Sequence, residues 1–281
     1  MSFIQMLLIA LVQGVTEFLP ISSSGHLIIL PYLTGFEDQG PMIDIAVHVG
    51  SLLAIVTYFF RDVAGLARGG FASIGIGKAP QEKRLFWWII IGTIPAVVVG
   101  LAIKTGMLNG VFQTMFNLQI KNDDLLESLR LTHLIAVNLI VYGILLGVAD
   151  KFGRTNRSFE NVRFLDGLLV GLAQSLALIP GTSRSGVTMT MARTLGFARV
   201  EAARFSFLLS IPAIAGAGVL IVPDLLKADS ALLVEALITG GLTFLAALAT
   251  MVFLMRFLKN ASMMVFVVYR VLMGVALLYF F

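Results

Sequence analysis

Of 281 residues, 58% are hydrophobic and only 13% are charged, with a mean hydropathy of +0.94; a soluble domain carries about 25% charged residues, so a soluble protein is excluded. The formal charge of +4 is modest and its basic residues fall in short loops, which makes nucleic acid a poor partner. The absence of cysteine excludes thiol catalysis, disulfides and thiolate metal sites.

The first apolar stretch, 3–36, opens without a basic n-region or a clear cleavage site and does not read as a removed signal peptide. It breaks at Pro20, followed by ISSSG. Proline disfavours a helical residue before it, and serine and glycine open the backbone. The stretch therefore reads as helix, loop and helix, entering and leaving on one side. Three continuous spans follow at about 42–60, 86–103 and 131–149, each near the roughly 20 residues that cross a hydrocarbon core. A second broken stretch, 164–200, breaks at Pro180, followed by GTSRSG. Three more spans follow at about 205–222, 232–256 and 262–281. The continuous apolar runs lack period-2 alternation, so the expected class is an all-α polytopic membrane protein rather than a barrel.

The two halves share a plan. Gln13 lies twelve residues before Gly25, and Gln174 twelve before Gly186. Each half is one broken segment plus three spans, and three being odd, the second is inverted relative to the first. A single membrane domain over 1–281 with pseudo-repeats 1–150 and 160–281 is expected, with sites at the repeat interface. Loops 61–84 and 150–163 are rich in lysine and arginine and read as cytoplasmic. Segment 104–130 is nearly balanced, and loop 223–231 carries Asp224, Lys227 and Asp229. One topology satisfies all of these, with both termini outside. The first tip dips from outside, beside Glu37 and Asp38, and the second from the cytoplasm.

If the tips meet, the first brings Glu17, Ser22, Ser23, Ser24, Gly25 and His26. The second brings Thr182, Ser183, Arg184 and Ser185, with Gly181 and Gly186 expected to offer backbone N–H groups. A guanidinium, hydroxyls, free amides and helix N-termini make a phosphate site. Gln13 and Glu17, four apart on one helix face, can hold a divalent cation, magnesium or calcium, that takes few protein ligands. Serine and glycine in membrane helices also serve plain packing. A Glu or Arg at membrane depth is costlier and usually marks a pathway or site, a buried ion pair being the bland alternative. Asp44, His48 and Ser51 share a face of the first full span, and Asp44 reads equally as interfacial. Tyr269 and Arg270 lie in the last span, where Arg270 can snorkel, pair with a carboxylate or reach a phosphate.

At these residues the chain resembles the undecaprenyl-diphosphate phosphatases of the bacitracin-resistance type, essentially end to end. QGVTEFLPISSSGH looks like that family's (E/Q)xxxE segment running into P-x-S-S-x-G-H; PGTSRSG looks like its second motif, and FVVYR is familial. The resemblance implies hydrolysis of a C55 isoprenyl diphosphate to the monophosphate in the bacterial cytoplasmic membrane, recycling a cell-wall lipid carrier. It implies Glu17 as metal ligand or proton carrier, Ser23 and His26 as candidates for attack or its activation, and Arg184 as diphosphate clamp, helped by Ser183 and Ser185. Many members have glutamate where this chain has Gln13, so a strict two-carboxylate metal site is not assumed. Attack by Ser23, by His26 or by water stays open. The expected active site opens to the periplasmic side. A lipid-phosphate flippase is the rival reading, and the glycines at 216–218 and 240–241 suit a homodimer as well as internal packing.

Overall fold

The computed structural model describes residues 1–110, 131–153, 156–225 and 229–280. Among the described residues there are eleven α-helices and no strand. They are α1 Phe3–Thr16, α2 Ser23–Thr34, α3 Gly40–Tyr58, α4 Phe60–Ser73, α5 Pro80–Lys104, α6 Thr132–Phe152, α7 Phe164–Ser175, α8 Arg184–Thr194, α9 Arg199–Leu225, α10 Ser230–Asn260 and α11 Met264–Phe280. Five are long and apolar enough to cross a membrane: α3, α5, α6, the Arg199–Val219 part of α9, and α10. These match five of the six expected spans. The sixth, α11, has 17 described residues; at 1.5 Å per residue it reaches about 26 Å, short of a core about 30 Å thick. It therefore groups with α1 and α7 among the shorter apolar helices.

Two loop expectations are corrected. Segment 61–84 is not loop throughout, because α4 occupies Phe60–Ser73 and lies on the start of α5. Gly69 makes that contact, since a Cβ there would stand 2.2 Å from the Glu82 carbonyl oxygen. Helix α9 begins at Arg199 rather than near 205. Its early charges are internally paired: Arg199 donates to Asp150 at 2.7 and 3.0 Å, and Arg204 to Asp62 and Glu160. The balanced segment 104–130 lies outside the described residues from 111 onward, as do Arg154, Lys227 and the side chain of Asp224.

One end of the molecule is a knot of charge. Asp150, at the end of α6, accepts from Arg193 Nε at 3.3 Å, from Arg199, and from the Met263 amide at 3.0 Å. Arg193 is fully buried and also donates to the carbonyls of Asp150 and Gly153 at 3.1 Å each. Arg84 donates to the Glu160 carbonyl, and Arg204 bridges Asp62 to Glu160. The two basic loops thus lie at the same end. This network binds the ends of α6 and α8 to the starts of α9 and α11, where isolated charges would be costly to bury.

Close helix crossings rely on glycine. α3 packs on α10 where a Cβ on Gly50 would stand 2.2 Å from the Gly240 carbonyl oxygen. α5 packs on α7 where a Cβ on Gly171 would stand 2.1 Å from the Gly92 carbonyl oxygen. Gly240 is therefore used for internal packing. Small residues let backbones approach where lipid offers no hydrophobic drive. Between these crossings Phe18 meets Phe207 edge-on at 5.3 Å, both buried.

Gly171→Ala should destabilise the detergent-solubilised protein by about 1–3 kcal/mol, because α5 and α7 must separate. Gly100→Ala, whose Cβ would meet only Leu178 Cδ1 at 3.9 Å, should leave the thermal midpoint near wild type. Equal midpoints for the two variants would show that the α5–α7 crossing is not close-packed.

Candidate active site

The two broken segments fold into the same local structure. Ser22 and Ser183 are the two non-glycine residues with positive φ among the described residues, at 76° and 70°. Each is the N-cap of the helix that follows, accepting from the amide three residues on: Gly25 N at 3.4 Å and Gly186 N at 3.1 Å. Each cap hydroxyl also meets the next-but-one serine at 3.3 Å, Ser24 and Ser185. A serine held in this region costs on the order of 1–3 kcal/mol and persists only where its surroundings fix it. The cap bond is part of that fixation. It also takes up the Gly25 and Gly186 amides, so the Gly186 amide, expected from the sequence to be free for phosphate, is engaged.

Arg270 joins the tips. It is fully buried. Its guanidinium donates to the carbonyl of Pro20 in the first tip at 3.2 Å, and to those of Gly181 and Thr182 in the second at 3.0 Å each. Further bonds go to the carbonyls of Leu139 at 3.1 Å and Asn138 at 3.3 Å. Among the described residues Arg270 neither snorkels nor pairs with a carboxylate, and it is not one of the residues lining the cavity beside Glu17. The fork satisfies carbonyls that the broken helices leave without partners, a need that water cannot meet within a bilayer. Gly186 lies against it, since a Cβ there would stand 2.6 Å from Nη1. Ser185 adds a second tie, donating to the Leu19 carbonyl at 3.1 Å.

With the tips so held, Glu17 and Arg184 form an ion pair across them, Arg184 Nη2 donating to Glu17 Oε1. Ser23 Oγ donates to Glu17 Oε2 at 2.6 Å, and Gln13 Nε2 donates to the same oxygen at 3.0 Å. Ser23 and Arg184 are the first residues of α2 and α8, so equivalent positions in the two tips converge on one carboxylate. His48 Nε2 lies 3.9 Å from Glu17 Oε2, while its Nδ1 faces the Asp44 carbonyl at 2.6 Å. Asp44 itself accepts from Gln39 at 2.7 Å.

A cavity of about 370 Å³ opens beside this cluster. Glu17, Ser23, Ser24, Ser183 and Arg184 give it a polar floor, with Asp44, His48 and Gln174 at its sides. Its walls are apolar, from Ile45 and Val49 to Ala213 and Ile214. The contributing parts of α3 and α9 lie away from the basic end. Arg184 Nη1 is buried and has no hydrogen-bond partner among the described residues, which leave half of the guanidinium fork unused.

The remaining expected site residues stand behind this surface. His26 is not among the lining residues. Its Nδ1 lies 2.7 Å from the Ser22 carbonyl and its Nε2 2.7 Å from the Tyr269 hydroxyl, with the two rings stacked. The carbonyl accepts, so Nδ1 carries the proton and Nε2 accepts from the phenol. Ser22, Gly25, Gly181, Thr182, Ser185 and Gly186 shape the tips. Gln174, which served in the sequence only to mark the register between halves, is an addition to the cavity, and its match to Gln13 was the signal.

The oxygen donors present fit a divalent cation of a particular kind. Gln13 Oε1 is buried next to Glu17 and has no hydrogen-bond partner among the described residues. No group of three His, Asp or Glu side chains suited to a metal occurs among the described residues. One carboxylate and one amide oxygen suit a hard cation that draws its other ligands from phosphate and water, not a closed protein cage.

Comparison with known proteins places this geometry in context. A family model described as "Bacitracin resistance protein BacA" matches residues 6–276. The chain is 66% identical to the undecaprenyl-diphosphatase of Erythrobacter litoralis, with all of both chains covered. It is 43% identical to the undecaprenyl-diphosphatase of Nitrosococcus oceani, again over all of both chains. It is 41% identical to undecaprenyl-diphosphatase 1 of Pseudoalteromonas translucida, over all of this chain and 99% of that one.

The clasp makes a stability ranking. Arg270→Lys should lower the stability by about 2 kcal/mol or more, because one ammonium cannot serve five carbonyls and each buried group left unpaired costs about 1–3 kcal/mol. Tyr269→Phe should cost only about 1 kcal/mol, the loss of one half-exposed hydrogen bond. Thermal unfolding in detergent checks the order, and a reversed order would remove Arg270 from its central place.

Proposed function

This chain belongs to the bacitracin resistance protein BacA family, and on that premise we propose that it hydrolyses undecaprenyl diphosphate to undecaprenyl phosphate and inorganic phosphate. The reaction recycles the lipid carrier for cell-wall polymers. The observation that carries this reading is the half-used Arg184 fork, buried at a cavity whose floor also holds a hydroxyl on a carboxylate. A phosphate oxygen completes the fork bidentately, as guanidinium geometry favours. The apolar walls suit the first isoprene units, and the bilayer takes the rest.

Roles follow from the contacts. Arg184 clamps the diphosphate with Ser183 and Ser24. Ser23 Oγ attacks the terminal phosphorus while Glu17 takes its proton, and the isoprenyl monophosphate leaves. Water then releases the phosphate from Ser23. A hydroxyl already donating to its base at 2.6 Å is the arrangement nucleophilic catalysis needs. As Arg184 turns from Glu17 to phosphate, it leaves the carboxylate able to accept that proton. His26, with both ring nitrogens engaged, holds the Ser22 carbonyl and so the pitch of the tip. Magnesium or calcium, held by Gln13 and Glu17, would neutralise charge on the phosphoryl group.

The setting belongs to the same proposal. The chain is an inverted repeat in the bacterial inner membrane, the tips being re-entrant and the termini periplasmic. Support comes from the matched tips and from matched crossings, α1 on α10 and α7 on α5. The basic loops share one end and the cavity lies toward the other, so the site opens to the periplasm under the positive-inside rule. A homodimer has room at Gly216, where an added Cβ would meet nothing. The flippase reading is not favoured, because alternating access needs tips that part, and Arg270 ties them together.

Purified protein should release phosphate from a long-chain isoprenyl diphosphate, and a chelator should slow it until magnesium or calcium is restored. Glu17→Ala, Ser23→Ala and Arg184→Ala should each lower kcat/KM by about 10²–10³ while still folding, the scale for losing one positioned charge or donor. His26→Ala should lose less. No release from folded wild type across ions and lipids would end the hydrolase reading. A fully active Ser23→Ala would return the attack to water.

A further inference from the structure

Gln174 stands in the last turn of α7, 2% exposed, and lines the cavity with Ser183 and Arg184. Among the described residues neither its amide nitrogen nor its amide oxygen has a hydrogen-bond partner. A primary amide brings two donors and an acceptor out of water, so leaving all of them unmade is a standing cost. Native chains keep such groups where a ligand completes them.

The first tip gives the comparison. Gln13 precedes Ser22 by nine residues and Gln174 precedes Ser183 by nine, with the same positive φ and cap at both serines. In the first tip the amide donates to the carboxylate of Glu17, four residues on. In the second, the residue four on from Gln174 is Leu178, which has nothing to accept with. The same donor is therefore left without its anion, on a residue that lines the cavity. Arg184 Nη1, a second donor with no acceptor, lines the same space. Two donors, Gln174 Nε2 and Arg184 Nη1, thus lack acceptors among the described residues at one cavity, and an anion from outside the chain would serve both, while Gln174 Oε1 is left to accept from a protonated phosphate oxygen or water.

We propose that Gln174 binds the diphosphate group of the substrate, donating its amide N–H to a phosphate oxygen opposite Arg184. It is the second tip's counterpart of Gln13, with the substrate in the place of Glu17. The assignment rests on the hydrolase reading above and adds a binding residue to it.

The test compares full-length wild type with Gln174→Met and Gln174→Glu in detergent, reading KM and kcat for a long-chain isoprenyl diphosphate. Thermal midpoints are taken with and without inorganic pyrophosphate as probe. Gln174→Met should raise KM about ten- to hundredfold, the range for a hydrogen bond to a charged group, with a smaller fall in kcat. Its midpoint without probe should equal or exceed that of wild type, since a stranded amide is replaced by an apolar chain. The rise in midpoint that pyrophosphate gives wild type should shrink. Gln174→Glu should raise KM further, because it sets a carboxylate against phosphate.

Gln174→Met with KM within twofold of wild type and an undiminished pyrophosphate shift would overturn the assignment. If Gln174→Met does not fold, Gln174→Glu and the shortened amide of Gln174→Asn carry the same comparison. Unchanged KM in those would overturn it equally. A wild type that releases no phosphate and is not stabilised by pyrophosphate would instead fail the hydrolase reading, a result distinct from failure of Gln174 alone.

Discussion

Everything at the candidate site depends on one buried guanidinium. A helix broken inside a bilayer leaves carbonyls that neither lipid nor bulk water can satisfy. Here two breaks between helices lie back to back, and Arg270 donates to the backbone of both. The same bonds that make each loop tolerable also fix one loop against the other. The guanidinium suits this task because its donors spread in a rigid plane, whereas an ammonium concentrates them at a point. His26 and Tyr269, the residue before Arg270, extend the brace to the serine cap of the first tip.

On that frame, one loop design is used twice with different side chains. The caps, positive φ angles and serine contacts of the two tips agree closely. The difference lies at the first helical residue, a hydroxyl in Ser23 and a cation in Arg184, both directed at Glu17. A like-for-like pair would offer two hydroxyls or two guanidinium groups. The unlike pair sets a hydroxyl and a guanidinium on the two oxygens of one carboxylate, the groups that the proposed reaction uses as nucleophile and anion clamp. Phosphoryl transfer needs this more than any elaborate covalent chemistry, since positioning and charge neutralisation dominate it.

The far end shows how arginine can be spent differently. Arg193 is as deeply buried as Arg270, yet it works with Arg199 on Asp150 and on loop carbonyls, and it is not among the residues lining the described cavities. Depth alone does not distinguish a site from a brace. Unused hydrogen-bonding capacity does: Arg184 keeps an orphaned nitrogen at a cavity, whereas Arg270 spends its donors on carbonyls.

Much of this was legible in the sequence because it is local. Long apolar runs fix helices in lipid, Pro20 and Pro180 with their serine and glycine runs fix the two breaks, and lysine and arginine gather in loops that the fold places at one end. Glu17, Ser23 and Arg184 stood out because polar groups at membrane depth are costly. What the sequence could not decide was the use of each polar group, since that depends on partners far along the chain. Arg270 meets Pro20 across 250 residues and His26 meets Tyr269 across 243. Of the two glycine amides expected to be free, that of Gly186 is capped by Ser183, and the histidine named as a candidate for attack has a partner on each nitrogen. The amide that looked like a register mark lines the cavity. Composition determined that this chain is a membrane protein with two polar breaks; only the tertiary structure decided which polar groups satisfy the backbone and which are left for a ligand. The reason is that hydrophobicity and helix breaking act within a few residues, whereas hydrogen-bond satisfaction is settled by whatever the fold brings near.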